Sequence, residues 1–482
     1  MLSYSLTDEE IEEFIRESEE LSGDETLKAL MAYYAKESPK YEIPEDPIAT
    51  DVVYHMIRNE LKLDGNPSLN LASFVTTEMD EHAEKLFMEN AGKNFVDQDE
   101  YPYSSLIQDR VISILARLYN APEDSKPIGT SVIGSSEAIM LGLLAHKWNW
   151  KKKRESEGKS TDEPNIIFGE DVHVVWKKFA RYFDVEPRII PMEEDNYVMN
   201  VDLVRKSIDE NTICVGTVLG TTFTGEMDPI SKINDMLIEI NKEKGWNIPI
   251  HVDAASGGFV VPFIYPEMEW DFRLSHVRSI NVSGHKYGLV FPGVGFLIFR
   301  NESDLPDDLI FEVNYLGGVM PTYSLNFSKG ASTIIAQYFN LLAIGRNGYT
   351  AIMGLLFNNA EYLARKMDSS GKFKVINNET RILPLVAFEL DEKCNFDVFN
   401  FSERIRQKGW IIPAYTLPKN AEDKAILRIV IRLTMSREQV NILYNDLLDA
   451  YDSLEKDIDE VLRYAKHQEN IQASRDHHDT IC

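Results

Sequence analysis

Short apolar runs alternate with longer helical patterns between about Asn70 and Arg300. This alternation predicts an α/β domain built on a mainly parallel sheet. The runs that we interpret as strands are Ile166–Phe168, Ile213–Leu219, Ile248–Val252, Ser279–Val282 and Val294–Phe299. In such domains the functional groups lie at the carboxyl ends of the strands. We therefore look for chemistry in the residues that follow each run.

The pattern changes on either side of this region. Near the N-terminus, Thr7 and Glu10 form a capping-box signature that predicts a short acidic helix. Later in the chain, the strand-like runs Leu383–Leu390 and Leu427–Arg432 occur among helical patterns, which indicates a smaller α+β domain. The predicted organisation is a helical N-terminal segment 1–66, a large α/β domain 67–348, a small α+β domain 349–465 and a flexible polar tail 466–482.

Charge and hydropathy exclude two classes of partner. The formal net charge of −28 repels nucleic-acid phosphates and anionic membrane surfaces. The longest charge-free apolar stretch of note, Tyr287–Phe299, contains Pro292 and falls short of the roughly 20 residues that a membrane-spanning helix needs. We expect no nucleic-acid partner and no membrane partner.

The N-terminus and the cysteines indicate the compartment. The chain is acidic from Asp8 onward and lacks the basic and apolar regions of a secretory signal. Cys214, Cys394 and Cys482 are widely scattered and form neither a disulfide framework nor a metal-binding pair. We therefore predict a cytoplasmic protein.

A carboxylate and an amine follow two of the predicted strands. Asp253 ends the strand in NIPIHVDAASGG, and the small residues after it leave room for a flat group. Lys286 follows the next strand, in SINVSGHKYG. Pyridoxal phosphate needs such a pair, because its aldehyde forms a Schiff base with a lysine and its ring nitrogen stays protonated beside an anion. Either residue alone would usually be a solvated surface charge, but together they favour this coenzyme.

The segment SVIGSSEAIMLGLL offers an anion site. Ser135 and Ser136 follow a glycine at the start of a predicted helix, with Glu137 in the first turn. Free backbone N–H groups, two hydroxyls and the helix dipole converge there, as a phosphate requires. A pair of serines at a helix start is more often only a cap, so this segment is weak evidence by itself.

Several motifs resemble the glutamate decarboxylase family, within the group II pyridoxal phosphate decarboxylases. The motifs are HVDAASGGFVVPF, INVSGHKYGLVFPGVGF, IGSSEAIMLGLLAHK, NLASF, GKNFVDQDEYP, TVLGTTFTGE and NYLGGVMPTYSLNFSKG. The resemblance extends over roughly Pro67 to Arg437. It implies the aspartate aminotransferase-like fold (fold type I) and α-decarboxylation of L-glutamate to 4-aminobutyrate and CO2.

The resemblance also implies roles for individual residues around the coenzyme. Lys286 would bond covalently to it, Asp253 would pair with its ring nitrogen, and His173 would lie against its ring. The other implied coenzyme-binding residues are Ser135, Ser136, Thr222, Ala255, Ser283, His285 and Ser328. Ser328 would reach in from a neighbouring subunit, so the active site would lie at a homodimer interface, with a hexamer left open.

Substrate recognition follows from the same resemblance. Ser73 and Phe74, with Asn94 and Asp97 across the interface, would bind the distal carboxylate of glutamate. Some relatives carry threonine where Ser73 stands, which keeps the hydroxyl. Arg432 would pair with the α-carboxylate, because a guanidinium fits a planar anion in a bidentate manner. The segment Leu-Thr-Met-Ser after this arginine departs from the Glu-Asp-Phe-Ser of many relatives.

Three further expectations concern catalysis and regulation. Tyr315 is a candidate proton donor. The resemblance also implies that His477 or His478 is a candidate for closing the site at neutral pH, a range in which imidazole titrates. No ligand set accompanies these histidines to predict a metal site. The chain has no tryptophan after Trp410 and no basic amphipathic tail, so calmodulin binding is not expected.

Alternatives remain at this stage. The same fold could decarboxylate aspartate or cysteine sulfinate instead of glutamate. An aminotransferase is a weaker alternative, because the motifs match the decarboxylases. A catalytically silent relative that serves as a binding partner is a third, although Lys286, Asp253 and His285 are all intact.

Overall fold

The computed structural model describes residues 40–45, 47–193, 195–314, 320–376 and 379–478, with side chains as far as Ile458. The predicted helix near Thr7 and the candidate Tyr315 lie outside these residues, as do the side chains of His477 and His478. The chain divides between Pro67 and Ser68 into two compact units. Helix α1 lies in the first unit, and all the other helices and strands named below lie in the second unit.

The helices are distributed along the whole described chain. The α-helices are α1 (Thr50–Leu61), α2 (Glu81–Glu89), α3 (Pro102–Leu118), α4 (Ser135–Ser156), α5 (Val175–Tyr182), α6 (Val201–Ser207), α7 (Ile230–Lys244), α8 (Val261–Ile264), α9 (Ser332–Ser370), α10 (Val398–Arg406) and α11 (Arg437–His478). Helix α9 is broken at Gly345, where φ is 60°, a conformation that glycine adopts without steric cost. Among the described residues, no helix combines the length and apolar character that crossing a lipid bilayer requires.

The strands include a counterpart for every run that the sequence predicted. They are β1 (Ile128–Val132), β2 (Asn165–Gly169), β3 (Glu186–Ile190), β4 (Thr212–Val218), β5 (Ile250–Asp253), β6 (Val277–Ser283), β7 (Gly295–Phe299), β8 (Phe311–Val313), β9 (Met320–Thr322), β10 (Phe373–Val375), β11 (Leu385–Leu390), β12 (Ala414–Thr416) and β13 (Ala425–Val430). Strands β1, β3, β8, β9, β10 and β12 were not predicted.

The central sheet has the strand order β1-β7-β6-β5-β4-β2-β3. Strands β6, β5, β4, β2 and β3 are parallel, and β7 runs antiparallel to both β6 and β1. Every residue of β2, β4 and β5 is buried, as expected for parallel strands that are covered on both faces. The predicted α/β fold with a mainly parallel sheet is confirmed.

The second sheet lies in the later part of the chain and is antiparallel, in the order β10-β11-β13-β12. An aromatic cluster joins its Phe373 and Phe388 to Phe401 of α10 and Tyr451 of α11. This combination has the α+β character that the sequence indicates. The domain boundary at 348/349 stays a prediction, because helix α9 runs across it.

Candidate active site

A cavity of about 390 Å3 opens where β2, β4, β5 and β6 end and where helix α4 begins. The parallel register places these strand ends side by side: Asp253 of β5 pairs with Val218 of β4 and with Asn281 of β6. Every predicted coenzyme-binding residue except Ser328 lines the cavity: Ser135, Ser136, His173, Thr222, Asp253, Ala255, Ser283, His285 and Lys286. The fold therefore brings residues from five separate parts of the sequence around one space.

Asp253 is a buried carboxylate with a full set of donors. Its side chain is only 5% exposed. Oδ1 accepts hydrogen bonds from the Ala255 N–H (3.1 Å) and from Asn281 Nδ2 (2.9 Å), and Oδ2 accepts from Trp176 Nε1 (3.3 Å). These donors offset the cost of burying a negative charge. The site thus holds an anion suited to a protonated ring nitrogen.

Lys286 presents an amine on the floor of the same cavity. Its Nζ donates to Ser256 Oγ at 3.1 Å and lies 5.5 Å from the centre of the Phe74 ring. Burial lowers the pKa of the Lys286 ammonium and Arg428 acts in the same direction, whereas Asp253 opposes the shift. A lowered pKa increases the fraction of neutral amine, which is the nucleophilic form.

The start of α4 forms a polar pocket at one end of the cavity. Ser135 Oγ lies 2.7 Å from Ser283 Oγ, so two hydroxyls meet at the helix N-terminus. A Cβ on Gly295 of β7 would lie 2.8 Å from the backbone carbon of Gly134, and glycine there lets the strand pass close to this turn. Unpaired helix N–H groups beside two hydroxyls suit a phosphate.

Two histidines complete the cavity wall. His173 Nδ1 accepts from the Val175 N–H at 3.3 Å, and His285 Nδ1 pairs with the carbonyl oxygen of Val294 at 2.7 Å. These contacts fix the orientation of both rings. Burial lowers the pKa of each imidazole, so the neutral form of both rings is favoured.

Two of the predicted substrate-binding residues adjoin Lys286. Phe74 and Arg432 line a smaller pocket to which Lys286 also contributes. Arg432 Nη1 donates to the carbonyl oxygen of Val75 at 3.1 Å, and Ser73 Oγ accepts from the N–H of the same residue at 3.1 Å. The NLASF segment and the end of β13 are therefore held together beside the amine.

The remaining predicted residues form a separate cluster within one chain. Asn94 Nδ2 donates to Ser328 Oγ at 3.4 Å, and the Asn94 side-chain oxygen accepts from the Lys329 N–H at 3.3 Å. The Asp97 N–H donates to the Asn94 carbonyl at 3.2 Å. Asn94, Asp97 and Ser328 are absent from the lining of both pockets described above, so their role across an interface stays a prediction.

Sequence reasoning missed several groups that contact the site. The sequence contains a signal for Asn281, because it is a polar residue inside an apolar strand, and its register partner in the structure is Asp253. The sequence contains no signal for Trp176, because its contact with Asp253 depends on how α5 packs. Arg428 is also new: it donates to the carbonyl oxygens of Ala72 and Thr222, and its guanidinium lies 4.9 Å from the Phe74 ring centre.

This arrangement has the groups that a pyridoxal phosphate enzyme requires: an amine, a buried anion and an anion-binding helix start. Residues 39–391 match the model of the pyridoxal-dependent decarboxylase conserved domain. The chain is 47% identical to a glutamate decarboxylase of Petunia hybrida over 93% of this chain and 90% of that protein. It is 42% identical to a glutamate decarboxylase of Lactococcus lactis over 87% of this chain and 90% of that protein.

The fold of the chain also matches those of solved structures. The glutamate decarboxylase of Lactobacillus brevis superimposes with a TM-score of 0.85 at 40% identity, over 88% of this chain and 96% of that chain. The Burkholderia pseudomallei sphingosine-1-phosphate lyase, at 20% identity and a TM-score of 0.74 over 91% of this chain and 98% of that chain, shares the fold. The chain belongs to the glutamate decarboxylase family of pyridoxal-dependent decarboxylases.

Proposed function

We propose that the protein catalyses the α-decarboxylation of L-glutamate to 4-aminobutyrate and CO2, with pyridoxal 5′-phosphate as its coenzyme. One structural observation carries the proposal: the Lys286 amine and the Asp253 carboxylate line one cavity together with the serines at the start of α4. The glutamate decarboxylase relatives, which match at 47% and 42% identity over most of the chain, support glutamate as the substrate.

Each end of the cavity suits one part of the coenzyme. When bound, the coenzyme supplies a ring that accepts the electron pair released as the carboxylate leaves. Lys286 would provide the amine for covalent attachment, and Asp253 would keep a proton on the ring nitrogen. Ser135, Ser136, Ser283 and His285, with the N-terminus of α4, would hold the phosphate. His173, Thr222 and Ala255 would contact the ring system.

Arg432 is proposed to hold the α-carboxylate of the substrate. Its buried guanidinium lies beside the NLASF segment, so a planar anion near Lys286 would find a matching fork of donors. Ser73 and Phe74 then face the distal carboxylate.

A homodimer would complete the site. Asn94 and Ser328 contact each other but lie away from the cavity of their own chain. This supports the proposal that Asn94 and Asp97 reach the substrate, and Ser328 the coenzyme phosphate, across a subunit interface. Tyr315 is proposed as the proton donor to Cα, and His477 or His478 as the group that closes the site at neutral pH. We propose a cytoplasmic location and activity that does not depend on calmodulin.

Purified protein supplied with pyridoxal phosphate should convert L-glutamate into equimolar 4-aminobutyrate and CO2. Lys286→Ala should lose the visible absorption band of the attached coenzyme and at least about a thousandfold in kcat, because the reaction loses its covalent attachment. Lys85→Ala, at an exposed position of α2, is the matched control. Full turnover by Lys286→Ala, or faster decarboxylation of aspartate or cysteine sulfinate than of glutamate, would contradict the proposal.

A further inference from the structure

A chain of buried side chains leads away from Asp253 through the central sheet. Asn281 Oδ1 lies 2.8 Å from His251 Nε2, His251 Nδ1 lies 2.6 Å from Ser279 Oγ, and the same Oγ lies 2.7 Å from His146 Nε2. Asn281, His251 and Ser279 are fully buried, and His146 is 3% exposed. We call His146, Ser279, His251 and Asn281 the relay.

Hydrogen-bond chemistry assigns one direction to the relay. The Asp253 carboxylate can only accept, so the Asn281 amide nitrogen faces it and the amide oxygen faces His251. That oxygen needs a donor, which places the His251 proton on Nε2. The Nδ1 of the neutral ring then accepts from the Ser279 hydroxyl, whose oxygen accepts from His146 Nε2–H.

The surroundings favour neutral imidazoles at both histidines. Burial lowers the pKa of His251 to about 4, with Asp253 and Asn281 opposing, and burial, His251 and Arg278 lower the pKa of His146 to about 3. At neutral pH both rings can therefore donate from one nitrogen and accept at the other.

The packing around His251 fixes the ring as well. A Cβ on Gly142 of α4 would lie 2.8 Å from His251 Cε1 and 2.9 Å from its Nδ1, so only glycine leaves room for this ring. Trp176 meets the same ring at a centroid distance of 5.7 Å and also donates to Asp253. The far end of the relay, His146, lines a second cavity of about 370 Å3 near the amino ends of β4, β5 and β6.

We propose that His251 and Asn281 are positioning residues for Asp253, and that the relay holds the Asn281 amide in the one orientation that donates to this carboxylate. All the donors in the relay then point towards Asp253 and polarise one another. Without the His251 donor, the Asn281 amide can turn and present its oxygen to the carboxylate, which repels it. The inference rests on the proposed function only in placing the coenzyme ring beside Asp253.

The first measurement needs no coenzyme and no turnover. Nitrogen-15 NMR of histidine side chains in the full chain, both free of pyridoxal phosphate and loaded with it, should show His251 and His146 as neutral rings with the proton on Nε2 at pH 7. The two signals are assigned from their loss in His251→Gln and His146→Phe. A charged His251, or a proton on its Nδ1, would overturn the proposed direction.

The second measurement is the dissociation constant of pyridoxal phosphate by equilibrium dialysis. Asn281→Leu and His251→Leu should each raise it about tenfold or more, because a hydrogen bond to a charged group is lost. Ser279→Ala and His146→Phe should have progressively smaller effects. His251→Gln, which keeps a donor near the Nε2 position, should recover most of the affinity and remains informative if the leucine variant does not fold.

The control is His276→Leu. His276 directly precedes β6, the strand that carries Ser279 and Asn281, and its side chain contacts Ser275 instead of the relay. In the loaded enzyme the relay variants should lower kcat with little change in the KM for glutamate, whereas the control should match the wild type. Equal coenzyme affinity and equal kcat in His251→Leu and His276→Leu would refute the inference. That outcome would leave glutamate decarboxylation by the wild-type protein untouched, so the two proposals can fail separately.

Discussion

Two aspartates at the same edge of the central sheet have opposite surroundings. Asp253 ends β5, and Asp171 follows β2 by two residues. Both line the coenzyme cavity, and they are 5% and 2% exposed, respectively. The Asp253 carboxylate accepts hydrogen bonds from Ala255, Asn281 and Trp176. Neither carboxylate oxygen of Asp171 accepts one from another residue in the described part of the chain.

The difference indicates that hydrogen-bond donors, more than the depth of burial, decide whether a buried carboxyl group can carry a negative charge. Burial raises the pKa of Asp171 well above its usual value, and the nearby carboxylates of Asp228, Glu226 and Asp253 add to the shift. A Cβ on Gly169 would lie 2.1 Å from Asp171 Oδ1, so the side chain folds back over the strand end. One end of the sheet thus carries a carboxylate with three hydrogen-bond donors at β5 and, after β2, a carboxyl group whose neutral form is favoured by burial.

Removing the charge at Asp253 tests the anionic half of the comparison. Asp253→Asn should lower kcat at least about a hundredfold, since one preorganised charge beside the reacting group is lost, while the KM for glutamate changes less. Steady-state kinetics at saturating coenzyme measure both constants. Asp235→Asn makes the same substitution on the exposed side of α7 and should match the wild type. If Asp253→Asn keeps more than about a tenth of the wild-type kcat, this carboxylate is not the ring partner.

The sequence predicted the strands in which apolar residues predominate, and it missed short strands and strands with few apolar residues. Strand β1 contains Thr130 and Ser131, and Ser131 is polar because it bonds to Gln108 of α3. Strand β3 lies at the sheet edge and begins with exposed Glu186 and Pro187. An edge strand needs little apolar surface, so no periodic pattern marked it.

The active-site residues were likewise predictable only where a local sequence pattern marks them. Asp253 and Lys286 were predictable because each lies at or just after the end of an apolar strand and has small residues nearby in the sequence. Trp176 reaches Asp253 through the packing of α5, which no local pattern encodes. Asp171 lies in the segment Glu-Asp-Val-His, which looks like a polar surface loop. Its burial depends on the tertiary position of the end of β2.

Replacing Asp171 with a residue that cannot ionise tests the second aspartate of the comparison. Asp171→Asn should raise the free energy of unfolding by about 1–3 kcal/mol near neutral pH, because burial disfavours the carboxylate form of Asp171, whereas the amide is neutral at every pH. The folded-state pKa of Asp171 is raised, so the contribution of this group to the stability of the wild type is greatest below the ordinary value of 3.8 and is lost as pH rises above it. The gain of the variant should therefore grow with pH from about 4 upward.

Urea unfolding of both proteins at several pH values measures this gain. The difference in midpoint between variant and wild type should be small near pH 4 and larger at pH 7. A difference that does not change with pH, or a less stable variant at pH 7, would mean that the pKa of Asp171 is not raised in the folded protein.

Trp176 makes the weakest of the three contacts to Asp253, at 3.3 Å, and its removal should have the smallest effect. Trp176→Phe keeps an aromatic ring against Phe168 and His251 but deletes the indole donor. One lost hydrogen bond of about 0.5–1.5 kcal/mol predicts a fall in kcat of roughly two- to tenfold with an unchanged KM. Trp150→Phe is the matched control, because the Trp150 indole donates to the Glu210 carbonyl at 3.0 Å, far from the site. Equal kcat in the two variants would show that Asn281 and Ala255 suffice to hold the anion, which would make the relay, rather than the indole, the determinant of this carboxylate.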